Sequence, residues 1–252
     1  MSCLIIKNDG IGDLILASGA ISAIGRYFGG DVDLLTCSAN REIAEGITPL
    51  RDRFYVSRLG GKFFGPAARL GILIEQACRE DEAVLKEVGR RSYRTVIVLR
   101  RFITQSTLLI MRRVFAPERW CAWQFPTNAT TKMTEICSRG WRHHQGSPEI
   151  LSELDYYRDF LQSHLTLDDD CRPRLDFCRM RPADSGGRRF ALGIGGSSTN
   201  GSYDNWEELV SRLEAAGWQP VLFGGKDEAD LAGKIVRNTP TVENWVGRCG
   251  WR

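Results

Sequence analysis

The fold of this chain is constrained most by residues 4–36, in which two short apolar runs flank a glycine turn and a longer apolar segment. The first run, residues 4–7, ends at an Asn-Asp-Gly sequence, as a buried strand typically does. In residues 14–24 the apolar side chains recur with the spacing of an amphipathic helix. Residues 32–36 form the second run. The segment therefore predicts a strand, a helix and a parallel strand, which together make a βαβ unit.

Asp13 lies at the start of the predicted helix. In a parallel sheet the turn after the first strand is at the carboxyl edge, where α/β folds bind ligands and where helix N–H groups point. Asp13 could be a capping carboxylate that stabilises its own helix. It could also be a general base, because the glycine turn leaves room for a substrate hydroxyl beside it. The sequence leaves both interpretations open.

Composition restricts the class of protein. The chain has 252 residues, 42% of them hydrophobic and 26% charged, which predicts a globular protein of more than one domain, since a single domain has about 100 to 200 residues. The net charge of +3 is too small to indicate a nucleic-acid partner. Neither a signal peptide nor an apolar run long enough to span a bilayer is found, so we expect a cytoplasmic protein.

The cysteines and histidines do not form a metal motif. The 8 cysteines lack a C-x-x-C pair, which favours free thiols over disulfides or zinc. His143 and His144 are adjacent and would point in different directions on any regular element. We therefore predict no metal site.

The remaining sequence alternates between apolar runs and helical periods. In the first part it predicts a helix at 40–47, strands at 54–56, 95–99 and 120–123, helices at 67–89 and 104–115, an irregular polar stretch at 124–146, and a helix at 147–165 with Ser147 as its N-cap. In the last part it predicts strands at 190–194, 219–223 and 241–246 and helices at 205–216 and 227–236.

This order predicts an α/β fold with two Rossmann-like domains built on parallel sheets. The first would comprise residues 1–165 and the second residues 188–252. Residues 166–187, with three consecutive aspartates, prolines and glycines, are typical of an interdomain linker. The second domain is expected to be incomplete, because a Rossmann-like domain needs about twice as many residues.

Basic residues follow two predicted strands of the first domain. Arg58 and Lys62 lie in a stretch rich in glycine and aromatic residues, typical either of a binding loop or of a solvated connection. Arg100 and Arg101 come directly after the strand at 95–99, at the edge that also holds Asp13. Their guanidinium groups suit phosphate or carboxylate ligands.

The loop at 195–201 carries hydroxyl and turn-forming residues ahead of a predicted helix. Such a loop can bind a diphosphate through backbone N–H groups, or it can be a plain connection, and both readings stay open. The dinucleotide fingerprint G-x-G-x-x-G fails, because Ile15 and Ser198 stand where the third glycine would be. A P-loop motif is also lacking, so the sequence argues against dinucleotide redox and P-loop chemistry.

Taken together, several motifs resemble the heptosyltransferase family of glycosyltransferases. They are the opening strand with the Gly-Asp turn at 10–16, the sequence Tyr-Tyr-Arg-Asp-Phe-Leu at 156–161, the loop at 195–198, and the segments 206–209 and 221–228. The resemblance covers both ends of the chain and is weaker in the middle. The order and spacing of these motifs are more specific than any one of them.

The resemblance implies a GT-B fold, with an acceptor bound by the first domain and a nucleotide-sugar by the second. It implies metal-independent, inverting transfer of a heptose or related sugar from an ADP-heptose-like donor to a lipopolysaccharide core acceptor. No cofactor and no nucleic acid are expected, and contact with the periphery of the inner membrane is an additional expectation. By position, Asp13 matches the catalytic base. Donor binding is assigned to Gly196, Ser197, Ser198, Thr199 and Glu228, and acceptor binding to Gly12, Arg58, Lys62, Arg100 and Arg101.

The sequence departs from the family pattern at two points. Asp204 stands where the family has a lysine, and replacing a cation by an anion beside a pyrophosphate reverses the sign of a substantial interaction. The family's later D-x-G-x-x-H sequence has no counterpart before Arg252. The alternative interpretation is therefore a truncated, non-catalytic binding module or an inactive remnant of the family.

Overall fold

The chain forms two compact units, Met1–Cys178 and Arg179–Arg252. The computed structural model describes residues 2–57, 59, 76–100, 105–113, 118–122, 141–143, 152–176, 188–195, 203–239 and 241–248. In both units all the strand pairs are parallel. The predicted class, an α/β fold with two parallel sheets of which the second is smaller, is confirmed.

The elements of the first unit alternate along the chain. The strands are β1 (Cys3–Lys7), β2 (Val32–Cys37), β3 (Asp52–Val56), β4 (Thr95–Val98), β5 (Arg119–Ala122) and β6 (Trp141–His143). The helices are α1 (Ile11–Tyr27), α2 (Arg41–Glu45), α3 (Glu82–Arg90), α4 (Gln105–Arg113) and α5 (Glu153–Leu165), and a 3₁₀ turn at Ser38–Asn40 precedes α2.

The first sheet has the strand order β3-β2-β1-β4-β5-β6. The chain leaves β1 toward β2 and β3 on one side and then crosses to β4 on the other. A topological switch point therefore lies between β1 and β4, which is where open α/β sheets form a ligand crevice at their carboxyl edge. The ends of β1 and β4, at Lys7 and Val98, are neighbours at this edge.

Helices cover both faces of this sheet. On one face Cys3 and Ile5 of β1 belong to a core that also contains α1, α2 and α5, with Tyr156, Tyr157 and Phe160 fully buried. On the other face Leu4 and Ile6 pack with residues of α3 and α4. Successive residues of β1 point to opposite faces of the sheet, and both faces are covered. For this reason β1 has no exposed residue and its sequence is a continuous apolar run.

Two predictions made for the first unit are wrong. The stretch at 124–146 was predicted to be irregular, but Trp141–His143 is a strand paired with β5, and three residues are too few to show a period. The N-cap of α5 is Ser152 rather than Ser147, because the Ser152 hydroxyl accepts a hydrogen bond from the Asp155 backbone N–H at 3.1 Å. Ser147 itself lies outside the described residues.

Glycine at position 19 allows α1 to lie directly against the segment that follows α5. A Cβ atom at Gly19 would be 2.1 Å from the Arg172 carbonyl oxygen and 2.6 Å from the Cys171 carbonyl carbon. These are backbone atoms, so they cannot rotate away as the end of a long side chain could. The approach ties the chain beyond α5 to the first helix.

Gly19→Ala is expected to destabilise the protein by about 2 kcal/mol or more. Alanine improves helix propensity by about 1 kcal/mol, but overpacking a closed contact costs about 1–3 kcal/mol, and a clash with backbone lies at the upper end. Urea denaturation measures the difference. The matched control is Gly12→Ala in the same helix, where a Cβ would meet nothing within 4 Å. Equal stability of Gly19→Ala and wild type would contradict the close approach.

The second unit contains β7 (Arg189–Gly193), α6 (Trp206–Ala215), β8 (Gln219–Phe223), α7 (Ala229–Asn238) and β9 (Glu243–Asn244), with a 3₁₀ turn at Lys226–Glu228. Its sheet has the order β7-β8-β9. The core joins Leu192 and Leu222 of the sheet to Val210 of α6 and Ile235 of α7. Within the described ranges, no helix combines the length and the apolar character needed to cross a membrane.

Candidate functional site

Three consecutive polar residues lie at the carboxyl end of β1, at the switch point of the first sheet. Lys7 and Asn8 are buried, and Asp9 is half-buried. Lys7 Nζ pairs with Asp9 Oδ2 at 2.8 Å, and Arg100 Nε lies 3.7 Å from the same oxygen. One carboxylate is therefore shared by two cations that come from the ends of neighbouring strands.

The backbone of Asp9 is held from the side of β2. Asn40 Nδ2 donates to the Asp9 carbonyl at 2.9 Å, and Cys37 Sγ donates to it at 3.2 Å. Burial, followed by the charge of Asp9, raises the pKa of Cys37 to about 12. The Cys37 thiol thus stays protonated at neutral pH, where it is a hydrogen-bond donor rather than a nucleophile.

Asn8 connects four segments of the first unit. Its Nδ2 donates to the Leu59 carbonyl at 2.9 Å and lies 3.5 Å from Ser106 Oγ. Its Oδ1 accepts from Thr107 Oγ1 at 3.0 Å and from Arg100 Nη1 at 3.0 Å, and its backbone carbonyl accepts from the same Nη1, also at 3.0 Å. The end of β1, the residue after Arg58, the end of β4 and the first turn of α4 are thereby fixed together.

Tyr157 of α5 lies beneath the buried lysine. Lys7 Nζ is 5.5 Å from the centre of the Tyr157 ring, a cation–π contact. Among the described residues the buried Tyr157 hydroxyl has no hydrogen-bond partner. Burial, then the negative charge of Asp9, raises its pKa well above the usual value. Tyr157 thus remains neutral and Lys7 is fixed from two sides.

Asp13 lies in the first turn of α1, the helix that begins directly after Gly10, and it is exposed. The Gly10 N–H donates to Asp13 Oδ2 at 3.2 Å, so the side chain does cap its own helix. The described residues provide no hydrogen-bond donor to the other carboxylate oxygen. A carboxylate that is exposed at the carboxyl edge is able to take a proton from a bound hydroxyl.

The structure places some of the predicted site residues together and does not describe others. Gly12 is exposed beside Asp13, and Arg100 lies at the same edge. The described residues do not include the other predicted site residues, which are Arg58, Lys62, Arg101, Gly196, Ser197, Ser198 and Thr199. Sequence reasoning missed Lys7, Asn8 and Asp9. The sequence feature that could have revealed them is a run of polar residues at the carboxyl end of a fully buried strand, because residues at this position lie at the crevice.

In the second unit, the candidate site residue Glu228 lies in the 3₁₀ turn that follows the carboxyl end of β8. A Cβ at Gly195 would be 2.9 Å from Glu228 Cδ, and a Cβ at Gly225 would be 3.0 Å from Glu228 Oε2. Gly224 would bring a Cβ to 3.3 Å from the Glu228 Cβ. The missing side chains thus create a recess for this carboxylate at the carboxyl ends of β7 and β8. Asp204 is exposed ahead of α6.

Comparison with known proteins gives matches at the level of structure only. No protein-family model and no curated protein matches the sequence. The structure of E. coli heptosyltransferase WaaC with ADP matches with a TM-score of 0.69 at 16% identity, over 97% of this chain and 74% of that chain. The structure of E. coli ADP-heptose lps heptosyltransferase II matches with a TM-score of 0.56 at 12% identity, over 99% of this chain and 73% of that one.

A glycosyl transferase family 9 protein from Veillonella parvula DSM 2008 also matches, with a TM-score of 0.56 at 12% identity, over 98% of this chain and 69% of that chain. The chain thus has the GT-B fold of glycosyltransferases. Its structure is similar to those of the heptosyltransferases, so the resemblance predicted from the sequence motifs is confirmed for the fold.

Proposed function

We propose that this protein is a glycosyltransferase that moves a heptose or related sugar from an ADP-sugar to a lipopolysaccharide core acceptor. The observation that carries the proposal is the exposed Asp13 carboxylate in the first turn of α1, at the carboxyl edge of the first sheet where Lys7 and Arg100 flank Asp9. The fold match to a heptosyltransferase with ADP supports the donor class. A donor and acceptor of this kind would place the enzyme at the cytoplasmic side of the inner membrane.

The reaction follows from the position of the base. Asp13 removes the proton of an acceptor hydroxyl, whose oxygen attacks the anomeric carbon of the donor sugar. The bond from this carbon to the diphosphate oxygen breaks as the new C–O bond forms on the opposite face. The anomeric centre is therefore inverted, the nucleoside diphosphate leaves with the electron pair, and the proton stays on Asp13. No step requires a metal ion.

Binding of the two substrates is divided between the units in this proposal. Glu228 accepts hydrogen bonds from hydroxyl groups of the nucleotide-sugar, since an ionised carboxylate is an acceptor only. Gly196, Ser197, Ser198 and Thr199 supply N–H and hydroxyl donors to the diphosphate. On the acceptor side, Gly12 leaves space next to the base. The cationic side chains assigned to anionic groups of the acceptor are Arg58, Lys62, Arg100 and Arg101.

A second candidate function is a non-catalytic binding module that keeps the acceptor site but not the donor site. The observation that favours it is Asp204, an exposed carboxylate at a position where the resemblance implies a lysine. An anion beside the diphosphate would weaken donor binding. ADP affinity therefore separates the two candidates.

Calorimetric titration with ADP is expected to show binding by wild type and at least tenfold weaker binding by Gly195→Ala. The added methyl would displace the Glu228 carboxylate, and losing a charged hydrogen bond costs about 1.5–3 kcal/mol, which is roughly ten- to a hundredfold in affinity. Gly193→Ala is the matched control, because a Cβ there would meet nothing within 4 Å.

Two results would count against the proposal in different ways. Absence of any binding of ADP or ADP-heptose by wild type would favour the binding module. Equal ADP affinity of Gly195→Ala and wild type would show that Glu228 does not bind the donor. The transferase proposal would then be tested by a transfer assay, in which mass spectrometry detects the sugar added to the core acceptor.

A further inference from the structure

The guanidinium group of Arg100 is held along one side only. Its Nη1 donates to two oxygens of Asn8, and its Nε faces Asp9 Oδ2 at 3.7 Å. Within the described part of the chain, no acceptor is found for Nη2. A guanidinium has five N–H donors in a rigid plane, so fixing Nη1 and Nε also fixes the direction in which Nη2 presents its hydrogens.

The amide of Asn8 can adopt only one orientation. Its Nδ2 faces the carbonyl of Leu59, and its Oδ1 faces the donors Arg100 Nη1 and Thr107 Oγ1. Rotating the amide by half a turn would place NH₂ against a guanidinium and oxygen against a carbonyl oxygen. Both contacts would be repulsive, and because Asn8 is fully buried, water cannot relieve them. The orientation of Asn8 therefore determines the orientation of Arg100.

The charges at this edge favour an anion as the partner of Nη2. Lys7 and Arg100 share the single carboxylate of Asp9, which leaves one positive charge uncompensated within this group. Planar guanidinium groups bind phosphate and carboxylate best, through parallel hydrogen bonds.

We propose that Asn8 is a positioning residue that aims Arg100 at a phosphate or carboxylate group of the acceptor. The identity of the acceptor in this inference rests on the proposed function. The binding of an anion by Arg100 does not depend on the proposed function. In this arrangement Asn8 never touches the ligand. It acts by holding the guanidinium in one orientation, with Nη1 on Asn8 and Nε toward Asp9, so that Nη2 is presented in a fixed direction.

The test measures anion binding and turnover separately. Inorganic phosphate is titrated into wild type, Asn8→Ala, Arg100→Ala and the double variant, with nuclear magnetic resonance or thermal shift as the readout. Asn8→Ala is expected to raise the Kd for phosphate about tenfold and to add nothing in the Arg100→Ala background. With deacylated, heptose-free lipopolysaccharide core as acceptor, KM is expected to rise to a similar extent while kcat stays within about twofold.

Asn40→Ala is the matched control. Asn40 is also a buried amide at this edge and donates to the Asp9 carbonyl and to Thr36 Oγ1, but it does not contact Arg100. It should lower stability and leave phosphate affinity unchanged. Should Asn8→Ala fail to fold, Thr107→Val removes one hydroxyl that fixes Asn8 Oδ1, and a rise in Kd of about threefold is expected.

The outcomes distinguish the two proposals. Wild-type phosphate affinity in the Asn8 and Thr107 variants would overturn the positioning role, as would phosphate binding by wild type that is unaffected by Arg100→Ala. Phosphate results as expected, combined with no sugar transfer by wild type, would support the positioning role and contradict the proposed transferase function.

Discussion

Asp13→Asn is expected to lower kcat for sugar transfer by about 10²- to 10⁴-fold, the usual contribution of a general base. An amide has nearly the same shape as a carboxylate but cannot accept the proton of the acceptor hydroxyl. It can still accept the Gly10 N–H that Asp13 Oδ2 accepts at 3.2 Å, so the helix cap and the fold should be preserved. Release of ADP from ADP-heptose in the presence of the core acceptor measures the rate.

The control for Asp13→Asn is Asp155→Asn, which changes the same helical position in α5. Asp155 is also an exposed carboxylate of a first turn, and it bonds to Ser152 and Arg158. It lies outside the proposed site, so turnover should be unchanged. Unaltered turnover in Asp13→Asn, with ADP affinity also unaltered, would rule out the base role and leave Asp13 as a capping residue only.

The parts of the fold that depend on local pattern could be predicted from the sequence. β1, the glycine turn and α1 follow from an apolar run, an Asn-Asp-Gly sequence and a helical period, and the structure has them at Cys3–Lys7 and Ile11–Tyr27. β8 has the predicted bounds, Gln219–Phe223. In each of these segments, the apolar residues whose burial stabilises the element are the same residues whose spacing predicts it.

The parts that depend on distant partners could not be predicted. β6 is three residues long and exists because β5 offers it a hydrogen-bonding edge, which no window of sequence reveals. Asn8 is another example. Its role comes from Leu59, Arg100 and Thr107, which are far from it in sequence and converge only when β1 and β4 pair. The sequence placed Arg100 at this edge but gave no sign of what orients it.

Charged clusters at the two edges of the first sheet differ in the way their charges are satisfied. At the amino end of β2, the fully buried Asp33 accepts hydrogen bonds from Arg51 Nε at 2.9 Å and Nη2 at 2.7 Å, from Arg91 Nη1 at 2.9 Å and from the Tyr93 hydroxyl at 2.7 Å. Every oxygen of this carboxylate is engaged by the protein itself. The amino edge is therefore structural, whereas the carboxyl edge keeps the exposed carboxylate of Asp13.

Asp33→Asn is expected to lower the free energy of unfolding by about 3–5 kcal/mol, the usual cost of removing one partner from a buried charged network. The amide would place a donor where Arg51, Arg91 and Tyr93 also donate. Denaturation with urea gives the difference. The control is Asp31→Asn, an exposed carboxylate that pairs with the same Arg51 and should cost no more than about 1 kcal/mol. Similar losses in the two variants would contradict a special role for the buried carboxylate.

The stabilising effect of Asp33 should also depend on pH in a defined direction. Burial alone would raise the pKa of Asp33, but hydrogen bonds from Arg51 and Tyr93, with the Arg51 charge, outweigh burial and lower it. A pKa that is lower in the folded than in the unfolded chain gives stability that is complete above about pH 4, the unfolded value, and is lost as the pH falls through the folded-state pKa. The difference in unfolding free energy between wild type and Asp33→Asn should therefore shrink on acidification. A difference that stays constant from neutral to acid pH would show that Asp33 acts through its shape rather than its charge.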